Sequence, residues 1–95
     1  MARYISLIRF TEKGAAAVRQ SPKRAQAFAK AAEKTGVKIE AQYWTSGQYD
    51  GVLIMSAPKA EQALRCLSEL VAGGNVKTET LQAFDSKEFA LIAGK

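Results

Sequence analysis

The sequence contains no histidine and only one cysteine, Cys66, among its 95 residues. Histidine is the side chain that most often serves as a general base near neutral pH and as a ligand of zinc, copper or iron. Its absence, together with the single cysteine, excludes zinc sites and both Ser-His-Asp and Cys-His catalysis. A lone cysteine cannot form an internal disulfide, which agrees with a reducing compartment.

Long apolar runs are also missing. No stretch approaches the roughly 18 residues that a membrane-spanning helix needs, and the apolar start of the chain is cut short by Arg9 before it reaches the length of a signal-peptide core. We therefore expect a cytoplasmic protein with no membrane partner. At 95 residues, the chain is expected to form one domain over 1–95, with a C-terminal tail at 85–95.

The formal charge of +5 permits weak association with nucleic acid or anionic surfaces but does not demonstrate it. Lys23, Arg24, Lys30 and Lys34 lie along one predicted helix and could form an anion-binding face, although such residues more often make a solvated surface. The RNA-binding form of the predicted fold needs aromatic residues in a set motif on its central strands, and the stretch 50–55 of the third strand lacks that motif. Nucleic-acid binding is therefore kept only as a minor alternative.

Hydrophobic patterns predict a β-α-β-β-α-β order of elements. Strands are predicted over 4–10, 37–45, 49–57 and 76–84, a short helical turn over 15–20, and helices over 21–36 and 58–72. Ser21 is expected to cap the first helix ahead of Pro22, and Gly36 to end it in a left-handed conformation. Asp85 with Glu88 resembles a capping box for a short terminal turn.

The second predicted strand alternates in a regular way. Val37, Ile39, Ala41 and Tyr43 are expected on one face, and Lys38, Glu40, Gln42 and Trp44 on the other. Such alternation is typical of a half-exposed strand. The first and third strands differ from it because they carry apolar residues on both faces.

This element order predicts an α+β fold, the ferredoxin-like plait with a four-stranded antiparallel sheet and two helices on one face. The first and third strands would be central, which fits their apolar character. The uncovered face would then expose apolar side chains, and a patch of that kind usually marks an interface. At roughly 25 cal/mol per Å² of buried apolar surface, pairing through it is favourable. We expect a homodimer with Leu53, Met55 and Phe89 as interface candidates, unless the tail folds back over the face.

Several short motifs, in order along most of the chain, resemble a known family. They are Tyr4-Ile5, Thr11-Glu12-Lys13-Gly14, Ser21-Pro22, Gly47-Gln48-Tyr49-Asp50, Ala57-Pro58 and the stretch from Gly74 to Phe84. The fourth is a Gly-x-Tyr-Asp signature, and from Tyr4 to Phe89 the chain resembles the GYD domain family. The resemblance implies a ferredoxin-like fold related to the dimeric α/β barrels, in small bacterial and archaeal proteins. It implies no settled activity.

Six polar or aromatic residues are candidates for ligand binding. They are Arg9, Tyr43, Trp44, Tyr49, Asp50 and Asn75. Asp50 could polarise a ligand and Tyr49 could donate a hydrogen bond to it. In a purely structural role, Asp50 would accept from backbone amides of the hairpin and Tyr49 would pack across strands. Tyr43 and Trp44 could hold an apolar ligand, or Trp44 could anchor an interface.

The remaining candidates carry similar alternatives. Arg9 is either a functional charge paired with Glu79 or Asp50, or a strand-end arginine that reaches solvent. Asn75 follows two glycines and could point into a cleft, although a helix C-cap and turn explain these residues as well. Cys66 beside an apolar helical stripe is expected to be a small buried hydrophobe.

Three functions from different classes are compatible with these residues. The first is a non-enzymatic dimeric domain that binds a small ligand or a protein partner, without a cofactor. The second, which the resemblance to dimeric α/β barrels implies, is a cofactor-free oxygenase or isomerase with its site in the cleft between sheet and helices. The third is weak nucleic-acid association through the basic helix. No catalytic residue can be assigned.

Overall fold

A computed structural model describes residues 1–94, and Lys95, at the end of the expected tail, lies outside the described residues. The strands are β1 (Ala2–Phe10), β2 (Lys38–Trp44), β3 (Gly51–Ala57) and β4 (Val76–Ala83); the helices are α1 (Glu12–Ala16), α2 (Ser21–Lys34), α3 (Ala60–Ala72) and α4 (Ser86–Ala93), with a 3₁₀ turn at Val18–Gln20. The predicted order of the main elements is confirmed. Two short helices were added to this order: α1 follows β1, and α4 follows β4.

The four strands form one antiparallel sheet in the order β2-β3-β1-β4. The two central strands are β1 and β3, as their apolar character predicted. The buried core consists of side chains from β3, α2 and α3, including Leu53, Ala32 and Leu67, together with Val37 just before β2. Both long helices therefore cover the same face of the sheet, and the ferredoxin-like α+β fold is confirmed.

Strand register assigns each side chain of β3 to one face of the sheet. Leu53 lies opposite Ser6 of β1, and both are sealed under the helices with exposures of 1% and 0%. Met55 is likewise 0% exposed. The expectation that Leu53 and Met55 lie at an interface is therefore wrong, because both belong to the core. The neighbouring positions Val52 and Ile54 carry the partly exposed apolar side chains of the opposite face, called here the open face.

The regular alternation expected in β2 is interrupted. Ile39 lies opposite Met55 on the helix-covered face, but the register shifts between Ile39 and Ala41, as it does at a β-bulge. Beyond the shift, Gln42 lies opposite the core residue Leu53. A slip of one residue exchanges the faces of every following side chain. The expected grouping of Ala41 and Tyr43 with Ile39 is therefore wrong.

Helix ends agree with the sequence in two places and differ in two, one of which is the start of α3 at Ala60 and not at position 58. Gly36 has a φ of 85°, as expected of a left-handed residue after α2. The capping box at α4 forms, since Asp85 and Glu88 exchange backbone-to-side-chain hydrogen bonds of 2.8 Å each. Ser21, however, is the first residue of α2 rather than its cap, which is Gln20.

The terminal helix α4 does not cover the sheet. Every residue over 86–94 is exposed, including Phe89 at 57%. The expected alternative, in which the tail folds back over the open face, is therefore not found among the described residues. None of the helices within residues 1–94 is both long and apolar enough to cross a membrane.

The segment after β1 is bonded to the loop between α3 and β4. The Thr11 amide donates to the Asn75 carbonyl at 3.0 Å, and the Thr11 hydroxyl donates to the Gly74 carbonyl at 2.6 Å. Thr11 also caps α1 by accepting from the Gly14 amide at 3.2 Å, so α1 begins three residues before the helical turn that was expected over 15–20. A Cβ atom at Gly14 would overlap the carbonyl oxygen of Asn75. Only glycine permits this approach.

Gly14→Ala therefore tests the contact between the two segments. Alanine is the better helix former, yet its methyl group must displace the backbone of Asn75, and we expect a loss of about 2 kcal/mol or more in the free energy of unfolding. Urea unfolding followed by circular dichroism measures it. The matched control is Gly73→Ala, where the nearest atom lies 3.4 Å from the new methyl group and little change is expected. Equal stabilities of both variants would contradict the packing described.

Candidate functional site

A cleft of about 90 Å³ lies between the sheet and the first turns of α2. Apolar side chains of β1, α2 and β4 form much of its lining, among them Ile8, Phe28 and Val76. Gly51 of β3 also lines it and contributes no side chain. A Cβ atom there would lie 3.0 Å from the carbonyl oxygen of Tyr43, so the close pairing of β2 and β3 favours glycine at this position.

The register shift in β2 places two polar side chains against α2. The indole Nε1 of Trp44 donates to the hydroxyl of Ser21 at 2.9 Å, and Gln42 Nε2 donates to the carbonyl of Ala25 at 3.3 Å. Both bonds join an edge strand to the start of a helix. Trp44 therefore lines the cleft rather than the polar face on which alternation predicted it.

Asp50 fixes the hairpin end of the cleft. Its carboxylate accepts from the Phe10 amide at 2.7 Å, and its own amide donates to the Ile8 carbonyl at 2.8 Å. Its carbonyl accepts from the Thr45 amide at 2.9 Å, which closes the β2–β3 connection. The carboxylate thus satisfies a backbone amide of β1 rather than of the hairpin, and Asp50 also lines the cleft.

Asn75 and Tyr43 complete the candidates that border the cleft. The Asn75 side chain donates to the Gly73 carbonyl at 3.4 Å, while its backbone carbonyl accepts from Thr11 as described. Asn75 therefore stabilises the turn that follows α3. Tyr43 is 61% exposed and pairs in register with Val52 of the open face.

Arg9 and Tyr49 lie away from the cleft. The Arg9 guanidinium carbon sits 4.8 Å from the centroid of the Tyr49 ring, and the Tyr49 hydroxyl donates to Glu79 at 3.3 Å. Arg9 is exposed, so the solvent-reaching alternative describes it. No ion pair joins Arg9 to Glu79 or Asp50 within the described part of the chain. The six candidates are thus divided between two separate places.

Arg24 is a cleft residue that the sequence did not single out for this role. Its Nη1 donates to the carbonyl of Ala17 at 3.0 Å, whereas its buried Nη2 has no hydrogen-bond partner among the described residues. Arg24 lies one helical turn before Phe28, and that spacing places both on the inner side of α2. The spacing could have separated Arg24 from the other basic residues of the helix.

Cys66 is buried in the core, as expected, and has a free thiol. Burial raises the pKa of this thiol, and the negative charge of Glu69 raises it further. A thiol with a raised pKa stays protonated at neutral pH and is a poor nucleophile. Within residues 1–94, no group of three or more His, Cys, Asp or Glu side chains could hold a metal ion.

The GYD domain family matches residues 4–93. A Thermus thermophilus protein, named as a glutamine synthetase and cystathionine beta-lyase binding protein, is 34% identical over 84 residues, covering 87% of this chain and 88% of the relative. The crystal structure of TTHA0845, also from Thermus thermophilus, is similar with a TM-score of 0.59 and 24% identity, covering 90% of this chain and 96% of that one. The structural likeness supports the fold.

Proposed function

This chain belongs to the GYD domain family, and we propose that it is a homodimeric binding protein whose partner is another protein. It pairs through the open face of its sheet and catalyses no reaction of its own. The observation that carries this proposal is the uncovered apolar centre of that face. The Thermus thermophilus relative, named for its binding of two metabolic enzymes, supports a protein as the partner.

The open face has the composition of an interface. Ile5 of β1 lies opposite Ile54 of β3 and Leu81 of β4, while Leu7 lies opposite Val52. These five side chains form a continuous apolar stripe across three strands, and Leu81 is 50% exposed. A stripe of this kind loses contact with water when a second copy covers it, which favours association.

Polar groups surround the apolar stripe. Arg3 lies 3.8 Å from Glu40 at one end, and Arg9 stacks on Tyr49 at the other. Interfaces commonly combine an apolar centre with a polar rim that stays partly hydrated. The exposed ion pair adds little stability to the monomer, and we assign these groups to the rim.

Helix α4 extends the proposed interface. Phe89, Leu91 and Ile92 are each more than half exposed, although the helix has a complete capping box that fixes its start. An isolated helix of 8 residues gains little from its own hydrogen bonds and depends on packing. We therefore propose that α4 packs on the second copy, with Phe89 as its anchor. We also propose that the chain forms a single domain and that the protein is cytoplasmic.

A cofactor-free oxygenase or isomerase is the second candidate, and the cleft under α2 favours it. Trp44, Asp50 and Asn75 border that cleft. Its support is weaker than that of the binding role, because Arg9 and Tyr49, which were expected in the same site, lie elsewhere.

Ile54→Glu tests the pairing surface. We expect the wild type to have twice the mass of one chain in light scattering. Burying an unpaired carboxylate at the centre of the stripe is strongly unfavourable, so the variant should be a folded monomer at the same concentration. Gln26→Glu, on the exposed side of α2, adds the same charge and should remain dimeric. A monomeric wild type, or a dimer that Ile54→Glu leaves intact, would contradict this interface.

Partner binding is tested with the two enzymes named for the relative. Glutamine synthetase and cystathionine beta-lyase from the genome that encodes this chain are immobilised separately, and binding of the chain is followed by surface plasmon resonance. We expect saturable binding to at least one of them. An unrelated enzyme of similar charge is the control, because a basic chain associates weakly with many acidic surfaces. Equal responses on all three surfaces would contradict specific partner binding.

A further inference from the structure

We propose that the cleft under α2 binds a small carboxylic acid with an apolar body, and that the guanidinium of Arg24 holds its carboxylate. The cleft is on the helix-covered side of the sheet, whereas the pairing surface is the open face. The site is therefore separate from the proposed dimer interface and adds a small-molecule ligand to the binding role.

The two terminal nitrogens of the Arg24 guanidinium differ in their hydrogen bonding. One guanidinium nitrogen, Nη1, is fixed by the Ala17 carbonyl at 3.0 Å, while Nη2 is buried without a partner among the described residues. Buried donors without an acceptor are rare in native proteins and destabilising. Arg24 lines the cleft, so we place the carboxylate of the ligand against its guanidinium. A ligand oxygen would then supply the missing acceptor.

The size and the apolar lining of the cleft limit the body of the ligand. Its volume is about 90 Å³, and a cavity of about 150 Å³ is known to admit benzene. The cleft is smaller than that cavity but opens to solvent, so we expect it to enclose a short branched chain or one edge of a small ring, with the rest of the ligand at its mouth. Phe28 and Ile8 supply apolar walls, and the ring of Trp44 borders the same space. Such walls suit an apolar body, with one polar group to orient it.

The charges that line the cleft favour a ligand with one negative charge. A guanidinium recognises a planar carboxylate better than it recognises a neutral carbonyl, because the hydrogen bond is charge-assisted. The Asp50 carboxylate lies on the same lining and disfavours a second negative charge, which argues for a monoanion over phosphate. The net charge of +5 attracts small anions in general.

Fluorescence of Trp44 provides the test, because it is the only tryptophan of the chain and lines the cleft. The probe is benzoate. Benzamide is its neutral isostere, and inorganic phosphate is an anion without an apolar part. All three are compared at constant ionic strength. We expect saturable binding of benzoate in the millimolar range and at least about tenfold weaker binding of benzamide and phosphate. Arg24→Gln should weaken benzoate binding at least about tenfold. Lys23→Gln, an exposed neighbour, should leave it unchanged.

Several results would overturn the site. They are benzoate and benzamide binding with equal affinity, phosphate binding more tightly than benzoate, full benzoate affinity in Arg24→Gln, or no saturable change up to about 50 mM, far above millimolar affinity. If Arg24→Gln does not fold, the comparison of benzoate with benzamide on the wild type still tests whether the site recognises a carboxylate. Ile54→Glu should retain benzoate binding, so a failed dimer and a failed ligand site give different results.

Discussion

The register shift between Ile39 and Ala41 turns the second half of β2 over relative to its first half. Without it, Trp44 and Gln42 would point to the open face, and their hydrogen bonds to α2 could not form. With it, an edge strand is tied to the first turns of the helix at two places. The cleft depends on this arrangement, because the helix and the strand end form two of its walls.

The same shift determines what the open face presents. It moves Tyr43 to the register of Val52, so an amphipathic ring extends the apolar stripe to the edge of the sheet. Glu40, at the shift itself, reaches Arg3 at 3.8 Å. One extra residue in β2 thus decides which side chains reach each face of the sheet. The helix-covered face encloses a small cleft with polar and apolar walls, and the open face presents an apolar stripe with a charged border.

Local patterns in the sequence predicted the parts of the fold that local physics decides. Alternation and turn residues predicted the strand order, and the glycine at 36 and the acidic pair at 85 and 88 predicted helix ends that the structure contains. The faces of β3 could not be assigned in the same way, because a strand that is apolar on both sides has no preferred parity. Leu53 and Met55 were therefore assigned to the wrong side.

The candidate site was harder to predict than the fold. A single sequence contains no strong signal of a β-bulge. Trp44 was therefore predicted on the wrong face of the sheet, because the prediction assumed a regular alternation that β2 does not have. Arg24 stood among exposed lysines of the same helix. Its spacing to Phe28 separates it from them, but the contact of its guanidinium with Ala17 depends on the fold. Arg9 and Tyr49 lie next to residues of the cleft along the chain. Their side chains lie on the opposite face of the sheet from those of Asp50 and Trp44, because successive residues of a strand point to opposite faces.

The most direct test of the shifted strand is a double-mutant cycle between Trp44 and Ser21. Trp44→Phe removes the indole donor, Ser21→Ala removes the acceptor, and urea unfolding of the two single variants and the double variant yields the coupling energy. We expect a coupling of about 1 kcal/mol, the usual contribution of one such hydrogen bond. A parallel cycle between Tyr43→Phe and Ser21→Ala should show none. A coupling near zero for Trp44 would mean that the indole does not face α2, and would contradict both the register shift in β2 and the cleft that depends on it.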